Sequence, residues 1–560
     1  MPRPIPLVDP VTKAVFPSSC MVASWTKPRC NCICGTGRRN HAKPCRPPRR
    51  TGPAPTPDRR SNPNSAMWAP AIDPTHRAPA WNLPDDAYCL VIAGKLPHRH
   101  KPAPMSMRYD IDTVLAGNQL KMPRIALAIL IFVVLLPFQA VRAQQPPVLF
   151  VHGNGDCAAL WMTMLWRFES NGYPRARLHT IDFRNPTARS DDGKPQPFRS
   201  SAADQLAELT ARIDEVLKVN RASKLALVGA ARGGLAIRNY LQSVGPAKVS
   251  HAILAAAPNH GVIASTTTLV GSEYNANGPL LRRLNGSASE TVPGVRYLTL
   301  RSDSNDKFAQ PDGRYLGLPG IPTNVGFDGP ALAGATNVVL PRLDHRELAF
   351  HPQAFREMYR FLTGKEPRLE IVPMRRPVLD GVVSGFADGV PTNSPVGKAE
   401  LEIFEVSPAT GERMGQARYR RTTGPDGRWG PFHASPNAYY EFVLAVPGYP
   451  VTHIYRSPFP RSSAVVHLRP GRITEADQGA GSVVILSRPR GYFGHGRDIF
   501  LLDGIVPPGV PPGVPSVNTA TLRLPPGPLR PVRAVVNEER LTVRNWPVAT
   551  GHVVIAEVND

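Results

Sequence analysis

The sequence has almost no cysteine outside its first 121 residues. Cys157 is the one cysteine further along the chain, and the other six are Cys20, Cys30, Cys32, Cys34, Cys45 and Cys89. A lone cysteine forms no intrachain disulfide, so the chain beyond residue 121 must be stabilised by packing. The cysteines at 30, 32 and 34 also lack the paired C-x2-C spacing of a structural zinc module. No metal and no other cofactor is therefore expected.

Acidic residues are scarce in the same N-terminal segment. Residues 1–121 hold 18 Lys and Arg against 7 Asp and Glu, and so carry +11 of the net charge of +23. The remaining charge is spread over 439 residues, so it does not predict a nucleic-acid partner. The segment is rich in Pro and Arg and has no sustained apolar period. This composition predicts disorder over 1–121, or a natural start further along the chain.

Long hydrophobic runs are rare, and the clearest one extends from Ile125 to Leu136. Twelve apolar residues are too few to cross a bilayer comfortably. The run follows Arg124 and precedes the small residues Val141 and Ala143, which is the layout of a signal peptide over 122–143. We therefore expect a secreted or periplasmic protein cleaved after Ala143. Because a signal peptide acts at an N-terminus, the natural start is expected at Met122, or at Met107 or Met105.

Residues 144–365 alternate predicted strands and helices. An apolar strand begins at Val148, an amphipathic helix follows over 201–219 with Ser201 and Asp204 as its capping pair, and a second apolar strand begins at Leu225. Further strands are predicted at 252–255, 295–300 and 336–340, with a last helix at about 353–362. This alternation is typical of a parallel sheet covered by helices on both faces.

The turn after the strand at Leu225 lacks a hydroxyl where one is expected. It reads Gly229-Ala230-Ala231-Arg232-Gly233, which has the spacing of the G-x-S-x-G elbow with alanine at its centre. Together with VLFVHGNGD and ILAAAPNHG, this turn resembles the bacterial lipase and esterase branch of the α/β-hydrolases. The resemblance implies the α/β-hydrolase fold, with Gly229 and Gly233 as the elbow glycines and Ala231 in the nucleophile position.

The same resemblance implies the other site residues. The RSDSNDKFAQP segment is similar to the family's S-x-x-D-x-x-x-P loop and favours Asp306 as the triad acid, with Asp303 as the alternative. His345 follows the last core strand and is the expected general base, ahead of His351 at a helix entrance. The oxyanion donors would be the N–H groups of Arg232 and of Asn154 or Gly155. Neither Ser223 nor Cys157 occupies an elbow that would replace the missing serine.

Beyond residue 365 the pattern changes to short alternating strands. Residues 369–470 predict a β-sandwich, and 471–560 predict a second β-rich domain. Within the first of these, the segments GVVSG (381–385), DGRW (426–429) and YYEF (439–442) resemble a carboxypeptidase-regulatory or transthyretin-type module. All-β domains behind an α/β-hydrolase domain resemble prokaryotic lipases in which the C-terminal β region assists lipid binding.

Two functions remain open. The first is a secreted lipase or carboxylesterase that acts on carboxylic esters by Ser-His-Asp acyl transfer, with its activity in doubt because residue 231 is alanine. The second is a catalytically silent relative that binds lipid or polymer as an extracytoplasmic module. In either case we expect the protein to bind an ester or a lipid and to contact lipid surfaces peripherally. Residues 262–292 are the candidate for a lid over the pocket. The sequence does not predict the oligomeric state.

Overall fold

The computed structural model describes residues 145–559. The predicted disordered segment 1–121 and the signal peptide 122–143 lie outside the described residues. Within 145–559, no helix is both long enough and apolar enough to cross a membrane.

The N-terminal domain is built on a six-stranded sheet whose neighbouring strands are all parallel, in the order β2-β1-β3-β4-β5-β6. Both β1 and β3 are buried along their whole length, as expected for central strands that read as continuous apolar runs. The strands are β1 (Val148–Val151), β2 (Leu178–Ile181), β3 (Leu225–Ala230), β4 (Val249–Ala255), β5 (Arg296–Arg301) and β6 (Thr336–Val339).

Helices cover both faces of this sheet. The helices are α1 (Met162–Ser170), α2 (Ala202–Asn220), α3 (Arg232–Ser243), α4 (Pro279–Leu284), α5 (Glu347–Phe350) and α6 (Pro352–Thr363). Alternate residues of β1 enter different cores: Phe150 packs with α1 and α6, whereas Leu149 packs with α2 and α3. The α/β-hydrolase architecture implied by the sequence is therefore present.

Helix α2 illustrates why these elements form where the sequence predicts them. At its N-terminus the Ser201 hydroxyl oxygen accepts a hydrogen bond from the Asp204 N–H. The Asp204 carboxylate accepts one from the Ser201 N–H, and the two bonds form a capping box. Such a cap is worth about 1 kcal/mol. The helix ends at Arg221 in the left-handed conformation, and its Leu209, Ile213 and Val216 are fully buried. Its length thus follows from local signals at both ends.

Residues 378–557 form the C-terminal β-region. Its strands are β7 (Val378–Val382), β8 (Ser384–Ala387), β9 (Val390–Pro395), β10 (Glu400–Val406), β11 (Tyr419–Thr422), β12 (Arg428–His433), β13 (Tyr439–Ala445), β14 (Val451–Arg456), β15 (Ser482–Ser487), β16 (Phe500–Leu502), β17 (Thr519–Leu524), β18 (Pro531–Val536), β19 (Glu539–Arg544) and β20 (His552–Glu557).

The largest sheet of this region has seven strands in the order β11-β10-β13-β14-β20-β15-β17. It combines strands from both predicted β-domains, because β14 pairs in parallel with β20 and β20 pairs in parallel with β15. The sequence division between 369–470 and 471–560 therefore falls inside one sheet rather than between two.

Candidate active site

The turn from β3 to α3 holds its central residue in an unusual backbone conformation. Ala231 has φ 48° and ψ −115°, in the region that residues with a side chain seldom adopt. Such a conformation costs on the order of 1–3 kcal/mol and persists when the surroundings fix it. Here the Ala231 N–H donates to the Ala255 carbonyl at 2.8 Å, and the Gly234 N–H donates to the Ala231 carbonyl at 2.9 Å. The turn therefore has a strained backbone conformation with alanine at its centre.

The two elbow glycines allow β3, α3 and the turn after β1 to cross closely. A Cβ on Gly233 would lie 2.4 Å from the Val151 carbonyl oxygen, and one on Gly229 would lie 2.6 Å from the Ile237 side chain. Gly153 of the His-Gly-x-Gly turn faces position 231, because a Cβ there would lie 3.3 Å from the Ala231 Cβ. Because these glycines have no side chains, the two elements and the turn can pack closely around residue 231.

His345 and Asp306 are brought together from two different loops. The His345 Nδ1 lies 2.9 Å from Asp306 Oδ1, and the same oxygen accepts a bond from the Phe308 N–H. A carboxylate only accepts, so Nδ1 carries the proton and Nε2 is left as an acceptor. The Phe308 ring packs edge-on against the imidazole with centroids 4.7 Å apart. This arrangement orients the histidine as a general base requires.

Asp303 and His351, the alternatives for the triad acid and the general base, form hydrogen bonds elsewhere. Asp303 accepts bonds from the Ser304 and Arg342 N–H groups and from Ser302 Oγ. Burial would raise the pKa of Asp303, but these hydrogen bonds outweigh it and lower the pKa. His351 caps α6 by accepting from the Gln353 N–H. The geometry therefore favours Asp306 and His345 over Asp303 and His351.

One of the predicted oxyanion donors is already used by the fold. The Gly155 N–H donates to the Pro186 carbonyl at 3.1 Å, so the prediction of Gly155 as a donor is not supported. Asn154 lines the same pocket as Ala231, whereas Gly155 lines a different cavity. The Arg232 N–H belongs to the first residue of α3 and so has no acceptor within the helix.

Ala231 and His345 line one narrow pocket of about 40 Å³. Val262 and Tyr274 contribute to its wall, so the predicted lid segment 262–292 borders the pocket. The side chain of Arg232 holds this segment, since it forms a buried ion pair with Glu273 and donates to Ser200 Oγ at 2.9 Å. The pocket therefore has a wall that is anchored beside the elbow.

Among residues 145–559, no serine, threonine or cysteine lines the pocket at Ala231. Cys157 lies past the oxyanion turn and lines the neighbouring cavity, not the pocket at Ala231. Burial, followed by the nearby Asp182 carboxylate, raises the pKa of its thiol to about 12, so it is not a thiolate at neutral pH. Among residues 145–559 there is also no cluster of three or more His, Cys, Asp or Glu side chains able to hold a metal ion.

Sequence reasoning missed the residues that hold the loop of His345. Asp344 Oδ2 accepts from the Tyr492 N–H at 2.7 Å and from Arg497 at 3.0 Å. Glu347 forms ion pairs of 2.8 Å with both Arg488 and Arg497. Burial and then Asp344 raise the pKa of Glu347 to about 8, against the opposing effect of the two arginines. The C-terminal β-region thus fixes the loop that carries His345.

Two family models match the chain in agreement with this architecture. Residues 147–293 match the model described as palmitoyl protein thioesterase, and residues 378–473 match the lipase C-terminal domain. The first covers β1, the elbow and the predicted lid, and the second covers the first strands of the C-terminal β-region. No curated protein matches the sequence.

Solved structures of lipases resemble the chain at low identity. Lipase BlEst2 of Bacillus licheniformis in its mature form shares 18% identity over 40% of this chain and 93% of its own, with a TM-score of 0.29. Lipase B of Aspergillus fumigatus shares 15% over 41% and 55%, with a TM-score of 0.29. The monoacylglycerol lipase of Paleococcus ferrophilus shares 14% over 39% and 96%, with a TM-score of 0.28. The chain therefore has the α/β-hydrolase fold followed by a β-region, and two of its segments are similar to a thioesterase family and to a lipase C-terminal domain.

Proposed function

We propose that the pocket at Ala231 binds the acyl group of a carboxylic ester or thioester and that the chain, as it stands, does not carry out acyl transfer. The observation that supports this most directly is the strained backbone of Ala231 beside the Asp306–His345 pair. Strain of this kind is retained where a site requires it. The family names that match the chain refer to lipases and thioesterases, which act on such acyl groups.

In this proposal each group has a defined part. The substrate carbonyl oxygen would accept a bond from the Arg232 N–H, aided by the N-terminus of α3 and by Asn154 in the opposing turn. The carbonyl carbon would face the Ala231 methyl group. His345, held by Asp306, would present Nε2 to that space. A methyl group has no proton to give and no lone pair to attack with, so the sequence of steps stops before a covalent bond forms.

The experiment is a binding measurement on the full chain with p-nitrophenyl butyrate. We expect saturable heat in titration calorimetry and only slow release of p-nitrophenolate, without the burst of an acyl-enzyme. Ala231→Leu should weaken binding by about tenfold or more, because the larger side chain fills a pocket of about 40 Å³. Val244→Leu, at an exposed position after α3, is the control. Equal binding by the native chain and Ala231→Leu, or no saturable heat at all, would contradict the proposal.

We also propose that the protein acts outside the cytoplasm, because residues 122–143 have the signal-peptide pattern. Expression of the chain from Met122 in a bacterial host, followed by mass spectrometry, should find an exported product that begins at Gln144. Ile131→Arg, which interrupts the apolar run, should abolish export. An exported product that retains residues 122–143 would contradict cleavage there, and a product that stays in the cytoplasm would contradict export.

A further inference from the structure

A second and larger cavity lies between the α/β domain and the C-terminal β-region. Its volume is about 320 Å³, within the range of roughly 300–1,000 Å³ typical of ligand pockets. Asp156 and Arg346 line both this cavity and the pocket at Ala231. Their ion pair of 3.1 Å forms a common wall between the two spaces. We call the larger space the interface cavity.

Five arginines line the interface cavity, and only two of them pair with carboxylates. Arg346 pairs with Asp156, and Arg456 pairs with Glu557 at 3.0 Å. The other three are Arg469, Arg472 and Arg490. Among residues 145–559, none of these three has a carboxylate within ion-pair distance. The one histidine of the lining, at position 467, is held by Asp182 at 2.9 Å. The cavity wall therefore carries an excess of positive charge.

Arg490 is the most deeply buried of the three, with 4% of its surface exposed. Among the described residues, its guanidinium donates only to backbone carbonyls, those of Ala159 at 3.0 Å, Leu160 at 3.2 Å and Asn559 at 3.3 Å. Burial, followed by the nearby Arg456, lowers its pKa to about 10. Carbonyl oxygens satisfy the N–H groups of this guanidinium without neutralising its charge.

Arg469 and Arg472 lie together beside one aromatic ring. The Arg472 guanidinium stacks 3.6 Å from the centroid of Phe386, and Arg469 lies 5.5 Å from the same centroid. Arg469 donates to the Thr392 carbonyl and to Asn393 Oδ1. Within the described residues, the shielded nitrogens Arg469 Nε and Arg472 Nη1 have no hydrogen-bond partner. Both nitrogens are shielded from solvent, so it is the two unpaired guanidinium charges, and not these N–H groups, that the cavity wall offers to a ligand.

The remainder of the lining includes a set of apolar side chains: Leu160, Ile454, Leu468, Ile485 and Ile555. A buried charge without a counter-ion is unfavourable, and guanidinium groups match the geometry of carboxylate and phosphate oxygens. An apolar wall in turn favours a hydrocarbon chain. The cavity therefore combines guanidinium groups that suit an anionic headgroup with an apolar wall that suits a hydrocarbon chain.

We propose that the interface cavity binds an amphipathic oxyanion, with its headgroup at Arg469 and Arg472 and a short hydrocarbon chain against the apolar wall. The site is distinct from the pocket at Ala231 and does not depend on ester binding there. A medium-chain carboxylate and an alkyl phosphate share this chemistry. The size of the cavity limits the ligand to one short chain rather than a bilayer surface.

Titration calorimetry on the full native chain tests the proposal with four probes: octanoate, octyl phosphate, octanol and acetate. We expect octanoate or octyl phosphate to bind at least about tenfold more tightly than octanol or acetate, because only these two supply both charge and chain. Whichever of the two is tighter identifies the headgroup. Octanol that binds as tightly as octanoate, or saturable binding by none of the four, would overturn the proposal.

Arg472→Met separates a ligand-binding role from a structural one. It keeps a long side chain over Phe386 and removes the guanidinium, so the oxyanion affinity should fall about tenfold. The melting temperature without ligand should stay the same or rise, since an unpaired buried donor is lost. Arg421→Gln, at an exposed position, is the control. A lower melting temperature with unchanged octanoate affinity would mean that Arg472 is structural and that the proposal is wrong. Arg472→Lys, which keeps the charge, provides a second test by retaining part of the affinity.

Discussion

Replacing Ala231 by serine is expected to give the chain esterase activity. Residue 231 already has the strained elbow conformation, and the His345–Asp306 pair is assembled at the same pocket. The added hydroxyl would supply the single missing component of a Ser-His-Asp arrangement. Because triad residues act as a unit, completing the set should raise the hydrolysis rate by roughly 10³-fold or more.

The measurement is release of p-nitrophenolate from p-nitrophenyl butyrate by the full chain and its Ala231→Ser variant. The variant should turn over, with an initial burst as the acyl-enzyme forms. The native chain should show no burst and should release p-nitrophenolate at least about 10³-fold more slowly than the variant. A variant that folds and binds the ester as the native chain does, yet hydrolyses none, would contradict the assignment of residue 231 as the nucleophile position.

Two aspartates provide a matched control in the Ala231→Ser background. Asp306→Asn should reduce turnover by several orders of magnitude, since the amide no longer holds His345 in the required tautomer. Asp303→Asn should retain most of the turnover, because Asp303 accepts hydrogen bonds from backbone N–H groups and from Ser302 rather than from the imidazole. His345→Ala should abolish turnover. Equal losses from both aspartate variants would contradict the choice of Asp306.

The elements of the α/β domain are predictable because their signals are local. The 3.6-residue period and the capping pair of Ser201 and Asp204 define α2 within a residue of its observed bounds. Uninterrupted apolar runs define β1 and β3. The order of the motifs along the chain indicates which loops carry Asp306 and His345, although their 2.9 Å contact depends on the folded sheet.

Other features depend on contacts between distant residues and leave no local pattern. Strand β14 pairs with β20 about a hundred positions further on, so alternation alone cannot show that one sheet spans both predicted β-domains. The N–H of Gly155 is used by Pro186 from a different loop, and that contact removes it from the predicted oxyanion donors. The arginines that hold the His345 loop belong to the C-terminal β-region, where sequence reasoning predicts only strands.

Arg497→Met is expected to lower the free energy of unfolding by about 3–5 kcal/mol. The Arg497 guanidinium donates to Asp344 at 3.0 Å, to Glu347 at 2.8 Å and to Asp498 at 2.7 Å. Its side chain is 14% exposed, and those of the three carboxylates are at most 7% exposed. Because the pKa of Glu347 is raised to about 8, the buried charges at pH 7 are mainly those of Asp344 and Asp498. Removing the guanidinium leaves these two charges with too few partners, and an uncompensated buried charge is strongly destabilising.

Urea unfolding at pH 7 measures this loss, with the exposed substitution Arg421→Gln as the control, which should lie within about 0.5 kcal/mol of the native chain. Adding Asp344→Asn to Arg497→Met should recover part of the loss, since one buried charge is then removed together with its partner. In the Ala231→Ser background, Arg497→Met should also reduce turnover, because Asp344 and Glu347 flank His345. Stability equal to that of the Arg421→Gln control, together with full turnover, would mean that the C-terminal β-region does not hold the His345 loop. A loss in both measurements would mean that the β-region is needed for the site on the α/β domain to form.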